Sequence, residues 1–213
     1  MYKMLIPISE LLAKYNLSQI TGILHIGAHE CEELPEYEKL LPRNRILWIE
    51  ALEDKVQYCR TNYPDVLIEH AVVSDIVEEV VFHRSNNGQS SSILELGLHK
   101  VFHPHVWYVS EYVTKTTKTK TILELQKYTE IASHINFINL DIQGAELKAL
   151  KGLGETILHQ VKFIYTEVNS DYVYEKCAII SEVDDYLATF GFKRVETRWC
   201  EDYRWGDAFY VKS

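Results

Sequence analysis

Two carboxylates bracket the most chemically suggestive stretch of the chain, Phe137-Ile138-Asn139-Leu140-Asp141-Ile142-Gln143-Gly144-Ala145-Glu146-Leu147. The first residues read as a buried strand that stops at Asp141, the edge at which open α/β sheets place their chemistry. A tight Gln143-Gly144-Ala145 turn follows, and then a helix running through Leu150. A core strand has no need of an acid at its end and a second one, Glu146, a helical turn later. An acid so placed can take a proton from an acceptor or orient its hydroxyl.

A second constellation lies near the start. Leu24-His25-Ile26-Gly27-Ala28-His29 sits where a first strand feeds a first helix. Gly27 permits a tight turn, and Ala28 leaves the backbone open to close approach. Glu50 ends the next strand, at roughly the twenty-residue spacing at which an acid binds a ribose diol. The pair points to an adenosine-containing cofactor, although a Gly-Ala turn alone is also ordinary strand-to-helix punctuation. A dinucleotide would set its pyrophosphate against the helix N-terminus. Here that turn carries Glu30, Glu32 and Glu33 and lacks the second and third glycines. Three carboxylates repel a pyrophosphate and tolerate S-adenosylmethionine, whose ammonium and sulfonium are positive. The same acids also complement the helix dipole, worth ~0.3–1 kcal/mol each.

These residues need a scaffold, and the hydrophobic rhythm supplies one. Helical periodicity is expected over 5–15, 30–41, 54–62 and 179–190, where Gly191 is placed as a C-cap. Extended segments are expected over 23–26, 45–49, 66–73, 79–83, 112–119, 135–140, 161–168, 192–196 and 208–211. Strands alternating with helices mean a parallel sheet, and the last two strands, with no helix between them, read as a hairpin. The expected fold is therefore α/β and Rossmann-like. It has a mostly parallel sheet, one antiparallel strand near the C-terminus and helices on both faces. One domain is expected over 1–213, with a helical extension over 1–19 and an insertion over 84–112 long enough to form a lid or acceptor site.

The chain has 213 residues, 46% hydrophobic and 25% charged, with a formal net charge of −9. That balance disfavours a nucleic-acid backbone as partner, since phosphate binding needs clustered Lys and Arg. The densest basic run, Lys115-Thr116-Thr117-Lys118-Thr119-Lys120, alternates like the wet face of a strand. The four cysteines, Cys31, Cys59, Cys177 and Cys200, spell out no zinc knuckle or redox pair. Free thiols suit a reducing compartment, and no apolar run reaches the ~18 residues of a spanning helix. A cytoplasmic protein with no membrane partner is expected; the oligomeric state stays open.

At this point the residues resemble the FkbM-like class I methyltransferases over roughly 20–211. Ile23 to His29 looks like the family's Val-Asp-Val-Gly-Ala-Asn element. Leu47-Trp48-Ile49-Glu50-Ala51 looks like its ribose-binding element, and Ser90-Ser91-Ser92-Ile93-Leu94 like its serine-rich segment. Asn139 to Glu146 is similar to its Asp-x-Glu-Gly-Ala-Glu signature, the most specific of the set. Thr166-Glu167-Val168-Asn169 ends the fifth strand, and Trp205-Gly206-Asp207-Ala208 opens the last. The chain departs from the pattern at His25, His29, Cys31 and Gln143, which replace an acid, Asn, Gly and Glu. The resemblance implies a seven-stranded sheet, S-adenosyl-L-methionine as cofactor and O-methylation. Substrates across the family range from saccharides to polyketide hydroxyls.

The expected enzyme moves a methyl group to a hydroxyl of a small acceptor, a sugar, nucleotide sugar or glycan precursor. Asp141 and His99 are the expected catalytic residues, His being the natural base near neutral pH. His25, Gly27, Ala28, His29, Glu50, Ala51, Ala71, Val72 and Asp141 are expected to hold the cofactor. Ser91, Ser92, Gln143, Glu167 and Asn169 are expected to face the acceptor. Trp107, Tyr108 and Tyr112 offer rings that could stack on a sugar, or simply pack. His83, His103 and His105 read as solvated loop residues. Asp141, Glu167 and Asn169 make a partial oxygen set that permits Mg²⁺ without requiring it, so no residue is assigned to a metal. The alternatives are a nucleotide-dependent sugar-modifying oxidoreductase on the same sheet, or a binding module that keeps the cofactor and lacks turnover.

Overall fold

The computed structural model describes residues 4–112, 116–200 and 202–213. The chain opens with α1 (Ile8–Tyr15), which starts after Pro7 because the Pro7 carbonyl accepts from the amides of Glu10 and Leu11. β1 (Ile23–Ile26), α2 (Leu34–Tyr37), β2 (Ile46–Glu50), α3 (Glu53–Asn62) and β3 (Leu67–His70) follow. Next come β4 (Glu79–Val81), α4 (His99–Phe102), β5 (Thr116–Lys118) and α5 (Gln126–Ile131). The chain closes with β6 (Phe137–Leu140), α6 (Glu146–Gln160), β7 (Phe163–Asn169), α7 (Ile180–Ala188), β8 (Phe192–Cys200) and β9 (Trp205–Lys212).

Seven strands form one sheet in the order β3-β2-β1-β6-β7-β9-β8, and β4 pairs with β5 in a separate two-stranded ribbon. All pairings from β3 to β7 are parallel, and β9 runs antiparallel to both of its neighbours. Strand alternation divides the core in two. Ile23, Ile46, Trp48, Phe137, Phe163 and Tyr165 pack with α1, α2 and α3. Leu24, Leu47, Ile49, Ile138, Leu140 and Ile164 pack with α5, α6 and α7. The central strands are buried on both faces, which explains their near-continuous apolar sequence.

Two expectations change. The helix expected over 30–41 shrinks to α2, because His29 (φ 42°) and Cys31 (φ 58°) adopt left-handed backbone that breaks any helix through them. The hairpin strands run longer than 192–196 and 208–211, since β8 is an edge strand whose mostly half-exposed and exposed residues carry little apolar alternation. Residues 113–115, part of the extended segment expected over 112–119 and including Lys115, lie outside the described residues. Among the described residues no helix is long and apolar enough to cross a membrane.

Candidate active site

The carboxyl ends of β1, β2, β6 and β7 open into a cavity of about 1200 Å³, counting the space open to solvent. Its first wall is the turn after β1. Gly27 takes φ 98°, and the amides of Gly27 and Ala28 both donate to the Ile49 carbonyl, at 2.9 and 3.0 Å. That turn aims the His29 amide at Glu50, whose Oε2 accepts it at 2.7 Å while Oε1 accepts from the Leu52 amide at 2.7 Å. The carboxylate is thereby fixed at the cavity wall, although burial holds its pKa above the usual range. Ile49, Ala51, Ala71, Val72, Val73 and Phe82 give an apolar wall beside it.

The opposite end of the cavity is acidic. Asp141 follows β6, Glu167 lies on β7, and Asp207 stands across from Glu167 in the β7–β9 register. Gln143, at φ 60°, turns its amide between the first two. Its Nε2 donates to Asp141 Oδ1 at 2.7 Å and to Glu167 Oε2 at 3.0 Å, and its Oε1 accepts from the Tyr174 hydroxyl at 2.6 Å. Asp141 is exposed to the open cavity, and desolvation at the cavity wall raises it against the pull of the Gln143 bond. Glu167 is raised well above its ordinary value, by burial and then by the Asp141 charge. Asp207 is pushed up to about 7 by burial; Tyr165 donates to it, as does the Leu5 amide at 2.7 Å. Glu33 is pushed up to about 8 by burial and the neighbouring Glu32 charge.

Glu146 plays a different part. Its Oε1 accepts from the amides of Ile142 (2.9 Å) and Gly144 (3.1 Å), so it braces the turn that presents Asp141 and Gln143. Gly144 is required there: at φ 95°, a Cβ would stand 2.9 Å from Tyr174 Cβ and 3.0 Å from Cys177 Cβ.

The expected site residues divide clearly. His25, Gly27, His29, Glu50, Ala51, Ala71, Val72, Ser91, Ser92, Asp141, Gln143 and Glu167 all line the cavity. Ala28 does not; it is buried in the core beneath, and its contribution is the amide bonded to Ile49. His25 stacks on Trp48 with ring centroids 4.6 Å apart, and its Nδ1 lies 3.0 Å from a Tyr37 hydroxyl that also accepts from Asn139 at 2.7 Å. Burial pushes its pKa down to about 3, so the ring is neutral and replaces the family's acid with packing. The Ser91 hydroxyl donates to the Gly88 carbonyl at 2.6 Å, and that of Ser92 to the Gln143 carbonyl at 2.8 Å. Both thus also brace turns.

His99 is a correction. It lies in α4, outside the residues lining the cavity, buried against Tyr174 and His103 at ring-centroid distances of 5.4 and 4.8 Å. Burial pushes its pKa down to about 4. The insertion hydrogen-bonds to the segment after β7, through the Gly97, Leu98 and His99 amides, and this packs the helix behind the site instead of over it. Asn169, two residues after Glu167 on β7, is buried and not among the lining residues, and its Oδ1 has no partner among the described residues. Trp107 is 58% exposed and away from the cavity, Tyr108 stacks on His83 at 4.7 Å, and His83 is buried rather than solvated. The side chain of Tyr112 lies outside the described residues. Sequence reasoning missed Asp207 and Glu33 as site residues, and Tyr174 altogether. The Gly206-Asp207-Ala208 opening of the last strand was the available signal for Asp207, but only the register sets it opposite Glu167.

The raised carboxyls predict a pH effect on stability. Glu33, Glu146 and Asp207 have folded pKa values of about 8, 7 and 7, above their ordinary values, so their protonated forms favour the fold and stability falls as pH rises through them. His25 and His99 act oppositely, but only below their ordinary value of 6.5. Between pH 6.5 and 8 the ligand-free protein should therefore lose on the order of 2–3 kcal/mol. Denaturant unfolding at the two pH values checks this, and a stability that rises across the window contradicts it.

The donor set fits S-adenosylmethionine. Glu50 offers an acceptor for ribose hydroxyls, the apolar wall suits adenine, and the acidic end suits positive charge. No lysine or arginine lines the cavity among the described residues, so nothing there would neutralise a pyrophosphate. A divalent cation does not fit the expected set. The Gln143 NH₂ already stands between Asp141 and Glu167, Asn169 is not among the lining residues, and among the described residues no three His, Cys, Asp or Glu side chains are grouped to hold a metal.

Comparison with known proteins agrees with this geometry. The model of the methyltransferase FkbM domain matches residues 25–194. The 2-O-methyltransferase NoeI of Sinorhizobium fredii (strain NBRC 101917 / NGR234) is 26% identical over 177 residues, 79% of this chain and 71% of that protein. Among solved structures, magnesium protoporphyrin IX methyltransferase (ChlM) from Synechocystis PCC 6803, with bound S-adenosylmethionine, superposes with a TM-score of 0.54 at 8% identity. It covers 97% of this chain and 76% of its own. Precorrin-6y C5,15-methyltransferase from Geobacter metallireducens GS-15 gives 0.50 at 11% identity, over 96% of this chain and 86% of its own. At such identities these structures speak for the class I methyltransferase fold alone. The domain match over most of the chain, on a sheet whose strand ends carry Gly27, Glu50 and Asp141, makes this chain a member of the FkbM family of S-adenosylmethionine-dependent methyltransferases.

Proposed function

We propose that the enzyme methylates a hydroxyl of a small neutral acceptor, a sugar or glycan precursor, with Asp141 receiving the proton. When bound, S-adenosylmethionine supplies a methyl group already activated on a sulfonium. The protein's work is then to align the hydroxyl and remove its proton. Gly27, His29, Glu50, Ala51, Ala71 and Val72 hold the cofactor in this reading. Ser91, Ser92, Gln143 and Glu167 face the acceptor, with Asn139, Tyr165 and Asp207 deeper in the cavity. Asp141 and Glu167 meet at the Gln143 amide, where ionisation of one disfavours ionisation of the other; in this reading Asp141 is the base and Glu167 donates to an acceptor oxygen. The 2-O-methyltransferase relative supports oxygen as the methylated atom.

One observation carries the choice of acceptor. The cavity wall holds Glu32, Glu33, Glu50, Asp141, Glu167 and Asp207, and no lysine or arginine is among the lining residues. A phosphate entering it would lose its water with no lining cation to replace it, at a cost that grows as water is excluded. This removes the nucleotide sugar from the acceptors considered and keeps neutral saccharides. Labelled methyl transfer should therefore be found with free or lipid-linked neutral glycans and fall at least about tenfold with their phosphorylated or nucleotide-linked counterparts. Preference for the charged forms would overturn the reading. With all four cysteines free, the cytoplasm is the compartment proposed.

A further inference from the structure

We propose that Tyr174 is a positioning residue for the proton-accepting end of the site, acting through Gln143. A side-chain amide has two unlike edges, NH₂ and C=O, and nothing in its shape selects which faces a partner. Here the selection matters. The NH₂ edge gives both Asp141 and Glu167 a donor, at 2.7 and 3.0 Å. The opposite edge would set a third oxygen against them. The Tyr174 hydroxyl, 2.6 Å from Oε1, closes the network with one consistent polarity: tyrosine donates to the amide oxygen, and the amide nitrogen donates to both carboxyls. Tyr174 is suited to this, being fully buried and raised well above its ordinary pKa by burial, so it remains a donor.

The backbone on both sides is held for the purpose. Gln143 sits at φ 60°, an uncommon conformation for a residue with a side chain, and the Ser92 hydroxyl pins its carbonyl at 2.8 Å. Tyr174 is bridged to Leu96, the Glu175 amide donates to the Glu95 carbonyl, and the His99 ring packs on the Tyr174 ring. Residues 95–99 thus reach the reacting end of the cavity at one remove, through Tyr174. That assigns His99 and its helix a part in supporting the site, in place of the direct one its chemistry suggested.

The inference rests on the reading of Asp141 and Glu167 as the proton-handling pair, and its test needs no acceptor. The pair's ionisation is read from the ¹³C carboxyl resonances of Asp141 and Glu167, titrated in the complex with S-adenosylhomocysteine. Other ionisable groups facing the pair are Glu32 and His29 from the first turn, Glu146 from α6, Asp207 from β9 and Cys177 after β7. These are common to every variant compared. Tyr174→Phe keeps the ring and frees the amide to turn, so the ionised carboxylate loses a donor. The apparent midpoint should rise by about one unit, a tenfold change in the ionisation constant. Gln143→Leu should raise it as far, and the double variant no further than Gln143→Leu alone. Binding of S-adenosylhomocysteine, governed by the Glu50 end, should change less than about threefold. Incorporation of 3-fluorotyrosine at position 174 keeps the fold and strengthens the donor, so it should lower the midpoint. Midpoints unmoved by phenylalanine and by fluorotyrosine, or full additivity in the double variant, would overturn the proposal. Failure to find a neutral sugar acceptor would count against the proposed function and leave this titration unaffected.

Discussion

Alanine at Gly27 should leave the protein unable to hold its cofactor, and barely able to hold its sheet. A Cβ on this residue would lie 1.9 Å from the Asp141 carbonyl oxygen and 2.8 Å from its carbon, and both are backbone atoms. Retreat is blocked on each side. The Gly27 amide donates to Ile49 on β2, and the Asp141 amide donates to Ile26 on β1. The φ of 98° adds the left-handed strain of any residue with a side chain, about 1–2 kcal/mol. Strain and clash together should cost roughly 3–5 kcal/mol, a large share of an ordinary domain's stability. Affinity for S-adenosylhomocysteine should fall at least about a hundredfold, because the same turn carries the His29 amide to Glu50. Gly191→Ala is the contrast: φ is 84°, but nothing lies within 4 Å of a built Cβ, so only the strain applies. Denaturant midpoints and calorimetric titration for the two variants check this, and equal behaviour would contradict it.

The second large effect is confined to turnover. Asp141→Asn keeps an oxygen able to accept from Gln143 Nε2 and removes the charge. Methyl transfer should fall by about 10²–10⁴, the usual contribution of a positioned base. Binding of S-adenosylhomocysteine should stay within a fewfold, since the acid proposed to bind the ribose is Glu50 on β2. The variant should not be destabilised at pH 8. It removes a carboxyl exposed to the cavity, and with it the charge that helps raise Glu167 and Glu146. A variant that folds, binds and still methylates at more than a tenth of the parent rate would remove Asp141 from the chemistry.

What could be read from the sequence was what local pattern encodes. The strand ending at Asp141, the turn at Gly27 and the acid at Glu50 each announce themselves within a few residues, because strand ends and tight turns constrain residue type locally. The sheet followed from alternation of strands and helices, and the closing hairpin from the missing helix. Other features depend on register and on packing between distant segments. Asp207 becomes a site residue only because β9 lies antiparallel on β7 and sets it opposite Glu167. Tyr174 enters because the insertion is hydrogen-bonded to the segment after β7, and no periodicity signals that. His99 misled for the same reason: its chemistry suggested a base, while the packing of α4 buries it behind Tyr174. The left-handed residues His29, Cys31 and Gln143 shorten or redirect elements that propensity would extend, and all three lie in the two turns that build the cavity.

The central claim is a division of labour within one cavity: Glu50 holds the cofactor, and Asp141 serves the proton. The most direct test measures two quantities on Glu50→Gln and Asp141→Asn, namely S-adenosylhomocysteine affinity and the single-turnover rate of methyl transfer to the best neutral glycan at saturating cofactor. The account expects Glu50→Gln to lose affinity at least about tenfold with a rate near the parent's, and Asp141→Asn to keep affinity and lose the rate at least about a hundredfold. Loss of affinity in Asp141→Asn with its rate intact would contradict it.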